Sequence, residues 1–149
     1  MFETREKPET AARDLAEVPC RVVLPDWLRA EFPKRGAVLT SYEEARQYPR
    51  YFLRGYEHTA VLRCLPSLKG LHRTVDEWAV YTVTLSRGGA SFLHFEQLFP
   101  GERAQFLVPE KLDRTIEVKW CRRLGPQCYE AGAQFLERLS VQEFRAMIA

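Results

Sequence analysis

The chain has 149 residues, 46% hydrophobic, 28% charged and 12% aromatic, enough for one domain with its own core and too apolar for general disorder. A net charge of +2 is too slight a basic excess to argue for a nucleic-acid surface. The opening MFETREKPET has no apolar h-region and no later run approaches the roughly 18 apolar residues a spanning helix needs, so a cytoplasmic chain without membrane attachment is expected.

Residues 1 to about 17 are polar and read as a loose tail. A short helix is expected around Trp27 to Phe32, bounded by Pro25 and Pro33. In TSYEEARQYP, Ser41 and Glu44 have capping-box spacing, and Pro49 stops that turn of helix. From residue 57 onward the period changes to two. HTAVLRCLP, DEWAVYTVTLS, ASFLHF, RAQFLVP, RTIEVKWCRR and CYEAGAQFLE read as strands separated by turns such as SRGG, FPGE and LGPQ. In the fifth strand, alternation puts Ile116, Val118 and Trp120 on one face and Thr115, Glu117 and Lys119 on the other. Six short strands at hairpin spacing imply a small closed barrel. SVQEFRAMIA ends the chain as a helix, capped by Ser140 and Glu143, with Val141, Phe144, Met147 and Ile148 on the face that plugs a barrel mouth or packs on its wall. The fold class is therefore all-β with helical additions: a short N-terminal extension over 1–43, then a barrel with a C-terminal helix over 44–149.

Two stretches carry chemistry. Arg46, Arg50 and Arg54 stand at four-residue spacing in ARQYPRYFLR. On an unbroken helix they would form a solvated basic stripe. Pro49 forbids that helix and pushes its predecessor toward extended geometry, so Arg50 and Arg54 lie on a segment leading into the first strand and can converge on one object. Exposed arginines paired with Glu43, Glu44 or Glu57 are the plainer alternative. In YTVTLSRGGASF, Gly88 and Gly89 can take positive φ in a hairpin turn; functionally, such a turn offers backbone N–H groups to an anion, with the Ser86 hydroxyl as a further donor. Cys20, Cys64, Cys121 and Cys128 form no CxxC pair, and His58, His72 and His94 stand at no ligand spacing, so free thiols and no metal are expected. No GxSxG turn, phosphate loop or carboxylate pair points to catalysis, and no catalytic residue is assigned.

ARQYPRYFLR, then a strand hairpin, then TLSRGGASFLHFEQLFPGE and VKWCRRLGPQCYEAGAQFLE together resemble the PilZ domain over roughly residues 44–140. The resemblance implies a six-stranded antiparallel barrel that is a bacterial receptor for cyclic di-GMP, with no cofactor. It also implies binding through an RxxxR motif and a (D/N)xSxxG motif. Arg46 and Arg50 match the first motif as RQYPR; Arg50 and Arg54 match its spacing as RYFLR, and the former register is favoured. Ser86 and Gly89 match the second motif, while Thr84 stands where the family has Asp or Asn. A threonine hydroxyl lacks the carboxylate or amide geometry suited to a guanine edge.

The expected function is capture of cyclic di-GMP through Arg46, Arg50, Ser86 and Gly89, with Arg54 and Thr84 as secondary contacts, and relay to an unidentified protein partner. The alternatives are a module of the same fold that recognises a protein without the nucleotide, and a single-stranded nucleic-acid binder stacking bases on Tyr48, Tyr51, Phe52 and Tyr56.

Overall fold

A computed structural model describes residues 17–31, 37–39, 51–53, 59–73 and 76–148. Along the chain these form α1 (Asp26–Glu31), β1 (Ala37–Leu39), β2 (Tyr51–Leu53), β3 (Thr59–Cys64), β4 (Glu77–Leu85), β5 (Gly89–His94), β6 (Arg103–Val108), β7 (Leu112–Gly125), β8 (Cys128–Phe135) and α2 (Val141–Ile148). The expected capping box at Ser41 and Glu44, with Pro49, lies outside the described residues.

All six expected strands are present, and every pairing is antiparallel. The order β4-β3-β6-β7-β8-β5 closes on itself through the β4–β5 pairing, so β3 to β8 form a barrel. Closure removes the open edges that a flat sheet of β-branched strands would leave for other chains. Phe92, Phe106, Leu62, Val80, Ile116 and Val118 fill the interior. The short strands β1 and β2 were not expected. They pair with each other, and β2 then pairs with the end of β4, Tyr51 opposite Leu85 and Phe52 opposite Thr84.

Three one-residue register shifts alter the pleat, one in β4 and two in β7, the last of them between Arg123 and Gly125. In β4, Thr82 pairs with Phe92 but Thr84 pairs with Ser91, leaving Val83 over. In β7, Val118 pairs with Ala133 but Trp120 pairs with Gly132, leaving Lys119 over. Each extra residue reverses the in-and-out alternation beyond it. Trp120 therefore does not share the core face of Ile116 and Val118 as strict alternation predicts; it points outward, and Cys121 turns in against the core.

The turns use the expected residues. In the FPGE turn Gly101 has φ +92, and Glu102 N donates to Phe99 O at 2.9 Å. The LGPQ hairpin puts Gln127 at φ 54, a left-handed position usually held by glycine. The N-terminal extension is docked. Val18 packs on Val61, Ala79 and Leu107, while Leu24, Val22 and Leu28 cover Leu93, Tyr81 and Val83. Ala79 N donates to Pro19 O at 2.8 Å, and Val23 N to Gln127 O at 3.0 Å.

The barrel mouths are closed differently. At the β4–β5 turn, α2 packs Phe144, Met147 and Ile148 against the core. Its cap is reciprocal as the Ser140/Glu143 spacing predicts: Glu143 N donates to Ser140 Oγ at 3.0 Å, and Ser140 N to Glu143 Oε1 at 2.9 Å. These bonds and Arg114 hold the Glu143 carboxyl below its usual range. At the opposite mouth Glu102 is buried. Arg73 Nε donates to Glu102 Oε2 at 2.6 Å, Arg73 Nη2 to Glu102 Oε1 at 3.1 Å and to Gln97 O at 2.6 Å, and Arg73 Nη1 binds Glu96. Burial alone would lower the Arg73 pKa, but Glu102 and Glu96 hold it above its usual value.

Candidate functional site

The β4–β5 turn is built around Ser86. Its N–H donates to Gly89 O at 2.9 Å, and its Oγ accepts from Gly88 N and Gly89 N, each at 3.2 Å. The amides expected to face an anion are thus turned onto the serine hydroxyl, which rigidifies the loop. Positive φ is not the reason for glycine at 89 either. Among the described residues the glycines with positive φ are Gly70 and Gly101. A Cβ on Gly89 would meet Ala133 O at 2.3 Å, so close approach to β8 demands glycine there. The turn is also fastened to the lead-in of α2: Arg87 Nε donates to Leu139 O at 2.8 Å, Leu139 N to Arg87 O at 2.9 Å, and Phe135 N to Gly88 O at 2.8 Å.

Of the residues expected to bind ligand, Thr84, Ser86 and Gly89 are brought together at the end of β4 and the start of β5, whereas Arg46, Arg50 and Arg54 lie outside the described residues. The backbone still fixes where their segment joins the barrel. Tyr51, bonded to Arg50, pairs with Leu85, the residue before Ser86. Thr84 Oγ1 lies 2.6 Å from Ser91 Oγ, and at 5% and 4% exposure both belong to the floor of the outer face.

Because cross-strand partners share a face, Thr84, Ser91, Gly132 and Trp120 form one row across four strands of the outer wall. Gly132 is needed for this row: a Cβ there would sit 2.2 Å from the indole Nε1, so the ring lies across the bare backbone. The indole remains 39% exposed. One step along the strands, Arg122 pairs with Glu130 and donates Nε and Nη2 to its Oε1 at 3.1 and 2.8 Å. Leu93, beside Glu130 on β5, is covered by Leu24, so the docked extension walls this end of the face. Trp120, Arg122 and Glu130 were not singled out from sequence, since the Lys119 bulge hides their common face. An isolated glycine inside the β8 pattern was the available signal.

No activated nucleophile is visible among the described thiols with shifted pKa. Burial pushes Cys64 and Cys128 up to about 11, aided by the charges of Glu102 and Glu130 respectively, and burial also raises Cys121. The described cysteines are all unbridged, and no group of three or more His, Cys, Asp or Glu among the described residues could hold a metal. No helix among the described residues is long and apolar enough to cross a membrane.

The described residues thus form a closed six-stranded antiparallel barrel that carries a glycine–serine turn and a polar outer face. The family model for the PilZ domain matches residues 44–149, and the chain belongs to that family. PilZ domains are in general non-enzymatic receptor modules for cyclic di-GMP that typically act on protein partners. No curated protein and no solved structure matches the chain.

Proposed function

We propose that this chain is a cytoplasmic receptor that binds cyclic di-GMP on the outer wall of its barrel and passes the bound state to a protein partner. Arg46 and Arg50 clasp the nucleotide against Ser86 and Gly89, Arg54 assists, and Thr84 contributes from the floor. Trp120 offers a flat face to a guanine. The observation that carries this reading is the pairing of Tyr51 with Leu85, which stitches the residue after Arg50 next to the residue before Ser86. Guanidinium groups can fork onto guanine O6 and N7 or grip phosphate oxygens. On capture the arginine segment reorders and shifts the packing of the N-terminal extension, assigned to residues 1–43, against the barrel over 44–149.

Calorimetric titration with cyclic di-GMP tests it. Micromolar or tighter binding is expected, and Arg50→Ala should weaken it roughly tenfold to a hundredfold. Heat indistinguishable from dilution would reject the reading. A second reading, a PilZ module that recognises its partner without nucleotide, is favoured by one observation: the Thr84 hydroxyl is closed onto Ser91 and the Gly88 and Gly89 amides onto Ser86. Capture of the same partner with and without nucleotide would support it.

A further inference from the structure

From the outer wall we infer that the Arg122–Glu130 pair is a further element of this chain that distinguishes guanine from adenine. The inference rests on the proposed binding of a cyclic dinucleotide. Both residues project outward from neighbouring positions of β7 and β8, two residues from Trp120 and Gly132 on the same strands. A base lying on the indole would have its edge directed along the wall within reach of the pair, because same-face neighbours on a strand are about 7 Å apart.

The geometry of the pair suits guanine. Arg122 places both Nε and Nη2 on the single oxygen Oε1 of Glu130. Its Nη1 and the second carboxylate oxygen, Oε2, make no hydrogen bond among the described residues. A further N–H donor and a further anionic acceptor therefore belong to one outward-facing ion pair. Guanine presents an acceptor, O6, next to its N1–H and N2–H donors, and complements both. Adenine presents its N6 amino donor where guanine has O6 and would set donor against donor. The Arg122 side chain is 66% exposed and free to meet a ligand, whereas that of Glu130 is 12% exposed, so its charge is screened less than at an open surface.

Beside the arginines proposed to fork onto guanine O6 and N7, the other residues of the wall add little discrimination. Thr84 and Ser91 carry hydroxyls, which donate and accept alike and discriminate poorly, and they are bonded to each other. Stacking on Trp120 favours any base. A charged acceptor paired with a donor supplies what a hydroxyl and a π-face cannot.

The test is parallel calorimetry with cyclic di-GMP and cyclic di-AMP on the full chain and on Glu130→Gln and Arg122→Met. The wild type should prefer the guanine nucleotide. Glu130→Gln should lose roughly tenfold to a hundredfold in affinity for cyclic di-GMP while its affinity for cyclic di-AMP stays unchanged, and Arg122→Met should do the same from the other side. Wild-type preference with variants that keep the same ratio would overturn this inference alone. A wild type that binds neither nucleotide would overturn the binding reading on which it rests.

Discussion

The two mouths of the barrel are both sealed, by opposite means. At one, Arg73, Glu96 and Glu102 bind one another, and the buried Glu102 also accepts from Phe99 N at 3.0 Å. At the other, an apolar helix face fills the opening, and the polar groups of the Ser86 turn are held by backbone bonds. Charge concentration alone would have pointed to the first mouth as the site. Its guanidinium is already saturated by carboxylates, though, so an incoming anion would have to displace them. The half-buried turn and the outer wall beside it, where the Arg122 side chain is 66% exposed, are the surface proposed to bind. A dense ion cluster marks structure when its members satisfy each other.

If this contrast is right, the largest effect should come from the saturated mouth and leave recognition intact. Arg73→Met strands the buried Glu102 carboxylate and should cost about 3–5 kcal/mol in urea unfolding, with the nucleotide affinity of the folded protein unchanged. A loss of affinity in step with stability would merge the two regions.

Acid should act at the same mouth. Burial, with the Arg73 charge, pushes His94 down to about 3 from an ordinary value of 6.5. The unfolded chain therefore takes up a proton that the folded one refuses. Stability is complete above about pH 6.5 and falls as pH drops toward about 3, by about 1.4 kcal/mol per pH unit for one proton. Between pH 7 and 5 the loss should be about 2 kcal/mol, and His94→Leu should flatten it. A profile that is level over that range in the wild type would show that the folded chain takes up the His94 proton as readily as the unfolded one.

The smallest stability effect belongs to the other region. Ser86→Ala frees two amides at the half-exposed turn and should cost roughly 1 kcal/mol, yet weaken cyclic di-GMP roughly tenfold. The reverse pattern from Arg73→Met, measured in the same two assays, would sharpen the contrast; a stability loss without any change in affinity would break it.

The strands and turns were legible because each segment obeys one local rule: β-branched and aromatic alternation for β3 to β8, proline and glycine at the reversals, Ser140 and Glu143 at the α2 cap. β1 and β2 were not legible, since three residues are too few to show a period and their pairing depends on partners far along the chain. Ser86 and Gly89 could be picked from their motif spacing, but the physical reason for Gly89 could not, because Ala133 O approaches it from another strand. Trp120 was assigned to the wrong face. A single residue inserted in a strand leaves no mark in composition and becomes visible only through cross-strand register. Arg73 and Glu102, 29 residues apart, gave no local sign of pairing.

The extra residues at Val83 and Lys119 act as phase shifters on the two flanks of one row. Excising either would leave the flanking residues on their present faces, because their partners on the facing strands are already consecutive. With Val83 removed, Thr84 would still follow Thr82 as an outward residue and Leu85 would still point in; with Lys119 removed, the indole would still follow Val118 outward and Cys121 would still turn in. Deleting Val83 or Lys119 should therefore keep the row of Thr84, Ser91, Gly132 and Trp120 on the outer wall and remove only the local twist that each bulge adds.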